Sequence, residues 1–358
     1  LITRKSNYFA SGPAHLPDFV LNEASKALFN FKDTGLSIVE ITHRSHDIET
    51  VVNESKNLLR EILHIPQQFE ILFMAGGASF AFANIPLNLT GRIGYAITGR
   101  WSKLAYNEAL RVNPKHIQLC DTEAIGYSEL PKVDELDLSQ VDFFHYASNE
   151  TVHGIQFKQA PEVPVPLICD MSSDITTTAI QWEKYGIVYA GCAKNLGISG
   201  MHVVIIKKDL LATTHTVPNI YSLRELAHSN CLYNTPPIFQ IYTTYLMLQW
   251  LKANGGLPYF SQKSQQQAEL LYSIIDANPK LYLTKVKPQY RSNINIVFDL
   301  PSPELVINFL AEAETHNLYG LKGHKIMGGI RASLYNSITL EQVGELANFL
   351  QHFAQKYS

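Results

Sequence analysis

Val165-Pro166-Leu167-Ile168-Cys169-Asp170 and, further on, Ile187-Val188-Tyr189-Ala190-Gly191-Cys192-Ala193-Lys194-Asn195 are short apolar runs that each give way to small and polar residues. Runs of this length, rich in β-branched and aromatic side chains, read as strands buried on both faces. The prolines of the first run stand at its start, where a ladder donor is not yet needed. Similar runs recur outward at residues 69–73, 94–97, 141–146 and 203–206, with helical spacing at 17–29, 48–63, 80–87 and 101–111. Short apolar strands alternating with helices predict an α/β fold whose mostly parallel sheet is covered on both faces. In such sheets ligands collect at the carboxyl ends of the strands.

The last third changes character. Gly255-Gly256 leads into a long helical pattern at 259–277. Asn293-Ile294-Asn295-Ile296-Val297-Phe298 and Gly328-Gly329-Ile330-Arg331-Ala332-Ser333-Leu334 read as strands. Ser302-Pro303-Glu304 opens one helix as an N-cap followed by proline. Thr339-Leu340-Glu341-Gln342 opens the last as a capping box, with apolar residues at 340, 343, 346, 350 and 353. The expected division is a large α/β domain at 16–257 and a smaller α+β domain at 258–358, joined by the segment 1–15.

Composition narrows the function. The 358 residues carry 29 Lys and Arg against 32 Asp and Glu, a net charge of −3, which leaves no basic footprint for nucleic acid or an anionic membrane. Cys120, Cys169, Cys192 and Cys231 show no C-x-x-C spacing, and four cysteines in so long a chain are no disulfide framework. No residue pattern suggests a metal site. The opening Leu1-Ile2-Thr3-Arg4-Lys5-Ser6-Asn7 has no apolar run long enough for a secretory leader, so a reducing, cytoplasmic setting is expected. The uncharged stretch 232–251 imitates a membrane span, but Pro236 and Pro237 interrupt it, and 238–251 is expected to be a buried helix.

Three strand ends carry candidate chemistry. Gly76-Gly77-Ala78-Ser79, between a strand and a helix, makes a backbone N–H cradle for an anion. It matches neither G-x-G-x-x-G nor G-x-x-x-x-G-K-[ST]. Asp170 ends an apolar strand, where an acid needs a cation or proton donor such as a heterocyclic N–H⁺; capping the turn at Ser172 and Ser173 is the plainer role. Lys194 is a lone amine among small and apolar residues, the setting that disfavours an ammonium and makes a Schiff-base lysine. Trp101 opens the helix after another strand and offers a stacking face. An anion cradle, a carboxylate for a ring nitrogen and an amine for an aldehyde together form the inventory for pyridoxal 5′-phosphate.

Longer strings lie in order along nearly the whole chain. They run from Ser11-Gly12-Pro13-Ala14 and Glu40-Ile41-Thr42-His43-Arg44-Ser45 through Asn149-Glu150-Thr151 and Asn234-Thr235-Pro236-Pro237 to Leu321-Lys322-Gly323-His324. In these the chain resembles the phosphoserine aminotransferase family of the class V pyridoxal-phosphate aminotransferases. The resemblance implies a fold-type I, aspartate aminotransferase-like architecture with a seven-stranded sheet, and a homodimer with shared active sites. It implies that Lys194 carries the cofactor, Asp170 pairs with the pyridine nitrogen, Trp101 stacks on the ring and Thr151 lies by the phenolic oxygen. Ala78, Ser79 and Ala193 are implied as cofactor contacts, with Asn234 and Thr235 reaching the phosphate from the second subunit. Ser11, His43, Arg44, His324, Lys325 and Arg331 are implied around the substrate.

Ala193 stands where some members have Gln, Ser79 where some have Arg, and Lys325 where Arg is usual, giving a point charge in place of a planar fork. The implied reaction moves an amino group from L-glutamate to 3-phosphohydroxypyruvate, and some members also accept a phosphorylated hydroxythreonine precursor. The same-fold alternative is an alanine– or serine–glyoxylate type enzyme. A cysteine desulfurase would need a nucleophilic Cys well beyond the lysine, and none follows Cys231.

Overall fold

The structure is a computed structural model that describes residues 7–212, 217–325 and 327–357. Residues 1–6, read above as lacking a leader and as part of the segment 1–15, lie outside the described residues. In chain order the first elements are β1 (Asn7–Tyr8), α1 (Asp18–Phe29), α2 (His46–Leu63), β2 (Phe69–Ala75), α3 (Ala78–Asn88), β3 (Ile93–Ile97) and α4 (Arg100–Val112). Then come β4 (Ile117–Asp121), β5 (Phe143–Ala147), β6 (Asn149–Glu150), β7 (Ile155–Gln156), β8 (Leu167–Asp170), β9 (Tyr185–Gly191) and β10 (Met201–Lys207). The rest are α5 (Leu223–His228), α6 (Ile238–Ala253), α7 (Gly256–Ala277), β11 (Asn295–Phe298), α8 (Pro303–Thr315), β12 (Leu318–Tyr319), β13 (Ile330–Ser333) and α9 (Leu340–Tyr357).

Seven strands form the main sheet in the order β2-β10-β9-β8-β5-β3-β4. Only β10 runs antiparallel, pairing Met201 with Ala75 on one side and His202 with Gly191 on the other. All residues of β3, β5 and β8 are buried. Because successive side chains alternate faces, this means both faces are covered. α3 lies against β9 and β10, and α4 against β3 and β5, while α1 and α2 pack on α6. The strand β4 was not among the runs read from the sequence. It is the sheet's edge, only half-buried, so its apolar signal is diluted.

The uncharged stretch 232–251 behaves as a core helix. In α6, Ile241, Leu246, Met247, Leu248 and Leu251 join the main hydrophobic core. Among the described residues no helix is long and apolar enough to cross a membrane.

A second core gathers α7, α8, α9 and the antiparallel pair β11–β13. α8 and α9 start as the sequence predicts, while α7 begins at Gly256, three residues before the pattern read at 259. Ser302 Oγ accepts from Leu305 N at 3.2 Å, and Thr339 and Gln342 form a reciprocal capping box at 2.8 and 3.1 Å. Phe9 belongs to this core, and β1 pairs in parallel with β12. α7 serves both cores: Leu257 and Phe260 pack in the first, Ala268 to Ile275 in the second.

Candidate active site

The carboxyl ends of the sheet strands converge. The end of β2 leads through Gly76-Gly77 into α3, β3 leads through Gly99 into α4, β5 leads into Asn149-Glu150-Thr151, β8 ends on Asp170 and β9 ends on Gly191. Between them lies a cavity of about 190 Å³ whose lining includes Ala78, Ser79, Trp101, Asp170, Ala193 and Lys194. Lys194 is half-buried, as its apolar surroundings in the sequence suggest, and its Nζ donates to Thr151 Oγ1 at 2.8 Å. The same nitrogen stands 6.0 Å from the centre of a Trp101 ring.

The lysine loop is clamped on both sides. Ala193 O accepts from Ala14 N at 2.8 Å, bringing the N-terminal segment alongside. Asn195, fully buried, donates to Ser173 O and Ile175 O and accepts from Asn336 N at 3.0 Å, tying the loop to the turn after β8 and to the segment between β13 and α9. A lysine between two such anchors has its backbone fixed, so only its side chain has freedom to move.

Asp170 does what its plainer role predicts with one oxygen: Oδ1 accepts from Ser172 N at 2.9 Å. Burial raises its carboxyl above the usual carboxylate range, while the Ser172 bonds and the Lys194 charge pull it down. A buried acid under this tension gains from any cation placed in the cavity.

Two helix N-termini meet near the cavity, and they differ. α4 is closed: the fully buried Glu150 accepts from Trp101 N at 2.9 Å through Oε2, and from Ser102 N and Oγ at 2.7 Å through Oε1. α3 starts at Gly77 with no side-chain cap, so its amides and positive dipole end are open to an anion. Beside it, a Cβ on Gly191 would stand 3.2 Å from Ala78 Cβ, so glycine there keeps the space by α3 clear.

The residues present fit pyridoxal phosphate on these counts. The open α3 terminus suits its phosphate, buried Asp170 suits a ring N–H⁺, and Lys194 suits its aldehyde. The Trp101 indole, at the cavity wall, has a buried Nε1 with no hydrogen-bond partner among the described residues.

The substrate-side residues are placed less uniformly. Arg331, on β13, is buried; its Nη2 donates to Ser11 Oγ at 2.7 Å and its Nε has no partner among the described residues. His324 is half-buried, its imidazole held below the usual range by burial and then by Arg100, Arg331 and Lys325, whereas Lys325 is exposed. His43 and Arg44 lie in the turn before α2, Arg44 exposed, and neither lines the Lys194 cavity. Asn234 and Thr235 are exposed and line a different hollow of about 230 Å³, with Phe80 and Tyr221. Reading the sequence gives Asn149, which lines the Lys194 cavity, and Glu150 behind it no role of their own, and it marks Ser172 and Ser173, which also line the cavity, only as a turn for Asp170 to cap. The signal for Glu150 was its isolation: the charged residues nearest to it in the sequence are Asp142 and Lys158.

A fold of this topology with a lysine, a buried aspartate and an open helix end at its strand termini defines a class of pyridoxal-phosphate enzyme. The family model described as Aminotransferase class-V matches residues 7–346, and the chain belongs to that family. Within the class it falls among the phosphoserine aminotransferases. It is 40% identical to the phosphoserine aminotransferase of Bacillus cereus over 351 residues, 96% of this chain and 97% of the relative. The solved structure of the enzyme from Bacillus circulans subsp. alkalophilus matches with a TM-score of 0.94 at 38% identity, covering 99% of each chain. A pyridoxal-phosphate-bound phosphoserine aminotransferase from Trichomonas vaginalis matches with a TM-score of 0.92 at 35% identity, covering 97% of this chain and 100% of that one.

Proposed function

We propose that this chain transfers the amino group of L-glutamate to 3-phosphohydroxypyruvate, giving O-phospho-L-serine and 2-oxoglutarate. The observation that carries the reading is the joint placement of Lys194, Asp170 and the uncapped start of α3 on one cavity. Pyridoxal phosphate, when bound there, supplies an electron-withdrawing ring that accepts the electron pair left when the substrate Cα loses its proton.

The chain's own residues do the rest. Lys194 Nζ holds the cofactor covalently between turnovers, and during them takes the proton from Cα and returns it. The Thr151 hydroxyl orients that amine. Asp170 accepts from the ring nitrogen and keeps it protonated. The Trp101 indole stacks on the ring, while the amides at Ala78 and Ser79 hold the phosphate, with Ala193 beside them. Arg331, set by Ser11, offers a planar fork to the substrate carboxylate. The Lys325 ammonium, with the His324 imidazole as a hydrogen-bond donor beside it, favours an acceptor that carries a phosphate.

Asn234, Thr235, His43 and Arg44 complete the site in this reading from a second copy of the chain. The exposure of Asn234 and Thr235 on a hollow separate from the Lys194 cavity supports a homodimer with shared sites. The setting is cytoplasmic, in keeping with four free cysteines, of which Cys169, Cys192 and Cys231 are buried.

A panel of amino acceptors tests the assignment. 3-Phosphohydroxypyruvate should give a kcat/KM well above those of pyruvate and glyoxylate, and the phosphorylated hydroxythreonine precursor's keto acid decides whether a second substrate is used. Preference for an unphosphorylated acceptor contradicts the reading.

A further inference from the structure

The α4 terminus carries a feature that ordinary helix capping does not explain. Ser102 already serves the turn locally, its Oγ accepting from Thr98 N at 3.0 Å and from Gly99 N at 3.2 Å. A serine or aspartate at 99 would complete the cap from within the helix. Instead the chain sends in a carboxylate from a separate strand, buries it completely, and leaves glycine at 99 to make room. A Cβ on Gly99 would lie 2.5 Å from Glu150 Cδ and 2.7 Å from Oε2. The Gly99 backbone is extended, with φ of 171°. The glycine is therefore required by the carboxylate and not by the turn.

What Glu150 holds is informative. One of its two oxygens takes the amide of Trp101 itself. The next residue, Thr151, holds Lys194 Nζ. The preceding residue, Asn149, donates to Ser173 Oγ at 2.8 Å and to Asn295 Oδ1 at 2.7 Å, so the β6 segment is fixed independently of α4. Glu150 does not itself line the cavity. It is the strut between Trp101, which does, and Thr151, which holds the cavity's Lys194.

We propose that Glu150 is a positioning residue for the cofactor ring: it ties the helix end bearing Trp101 to the segment bearing Thr151, so that the stacking indole and the hydroxyl on Lys194 are set as one unit. The proposal rests on pyridoxal phosphate binding at Lys194 and not on which keto acid is used.

Two variants test it by different routes. Glu150→Gln keeps the shape but replaces one acceptor oxygen with a donor, so one of the two amides loses its partner. Gly99→Ala keeps the charge and pushes the carboxylate away. Each is made in the wild-type and in the Trp101→Ala background, checked for folding by circular dichroism, and stripped of cofactor. The dissociation constant for pyridoxal phosphate is then read by absorbance titration.

Both variants should weaken binding about tenfold when Trp101 is present, and less than about twofold when it is absent, since residues acting through one another are not additive. A merely structural loss would weaken binding by the same factor in both backgrounds, and that result overturns the proposal. Unchanged affinity in both variants overturns it equally. Should Glu150→Gln fail to fold, the Gly99→Ala pair decides by the same criterion. Wild-type protein that binds no pyridoxal phosphate would instead contradict the cofactor assignment beneath it.

Discussion

Lys194 Nζ donates to Thr151 Oγ1 at 2.8 Å, and among the described residues the amine has no carboxylate within ion-pair distance. The hydroxyl accepts this hydrogen bond and holds the amine in place without a salt bridge that attack on an aldehyde would have to break. Asp170 acts on the lysine only through its field. The two charged groups therefore share a cavity without neutralising each other, and each is left for the cofactor.

Asp170→Asn removes the anion and keeps the size. Its buried position means that asparagine can still cap the turn at Ser172 but cannot hold a ring proton. Turnover should fall about 10²–10³-fold, the scale of losing one preorganised charge in an active site, with weaker cofactor binding. Near-normal kcat in the reconstituted variant removes the assigned role.

Arg331→Lys tests recognition of the substrate carboxylate. The guanidinium is fixed by Ser11 and keeps a buried Nε without a partner, which suits a two-point contact that an ammonium cannot make. KM for both glutamate and 3-phosphohydroxypyruvate should rise on the order of tenfold or more, with the smaller change in kcat. A rise confined to the phosphorylated substrate would assign Arg331 to the phosphate instead.

The proposed homodimer with shared sites predicts complementation. Lys194→Ala and the double variant Asn234→Ala, Thr235→Ala are each impaired, but a mixed dimer holds one site with neither lesion. Unfolding and refolding the two together should recover about a quarter of wild-type activity, from the statistics of a symmetric dimer. Activity no greater than the average of the two parents would place Asn234 and Thr235 outside the partner's site.

His145 predicts a pH effect on stability. It is fully buried, its Nε2 bonded to the Tyr189 hydroxyl at 2.8 Å, and burial pushes its imidazole down to about 3. The unfolded chain takes up a proton near pH 6.5 and the folded chain does not. Its contribution is thus intact above that pH and drains away as pH falls, at about 1.4 kcal/mol per pH unit. His145→Gln should be less stable at pH 7 and show a shallower loss between pH 6 and 4 in denaturant titrations. Parallel profiles for the two proteins would contradict it.

Much of this was legible in the chain because burial on both faces leaves uninterrupted apolar runs. Residues 165–170 and 187–190 announce β8 and β9, and the Thr339–Gln342 box marks the start of α9 to the residue. β4 was missed since an edge strand is half-exposed and its run is broken by Gln118. Lys194 stands out as an isolated charge in apolar sequence, and Asp170 as an acid at the end of an apolar run. Glu150 has the same isolation, but its meaning depends on a pairing with residues 101 and 102 that no local pattern encodes. The roles proposed for His43, Arg44, Asn234 and Thr235 involve a second chain, which spacing along one chain does not report.

The most direct measurement is reduction of the holoprotein with borohydride followed by peptide mapping. The account predicts loss of the yellow chromophore and a single phosphopyridoxyl adduct on the Nζ of Lys194, absent from Lys194→Ala. An adduct on any other lysine, or none in cofactor-saturated protein, would contradict it.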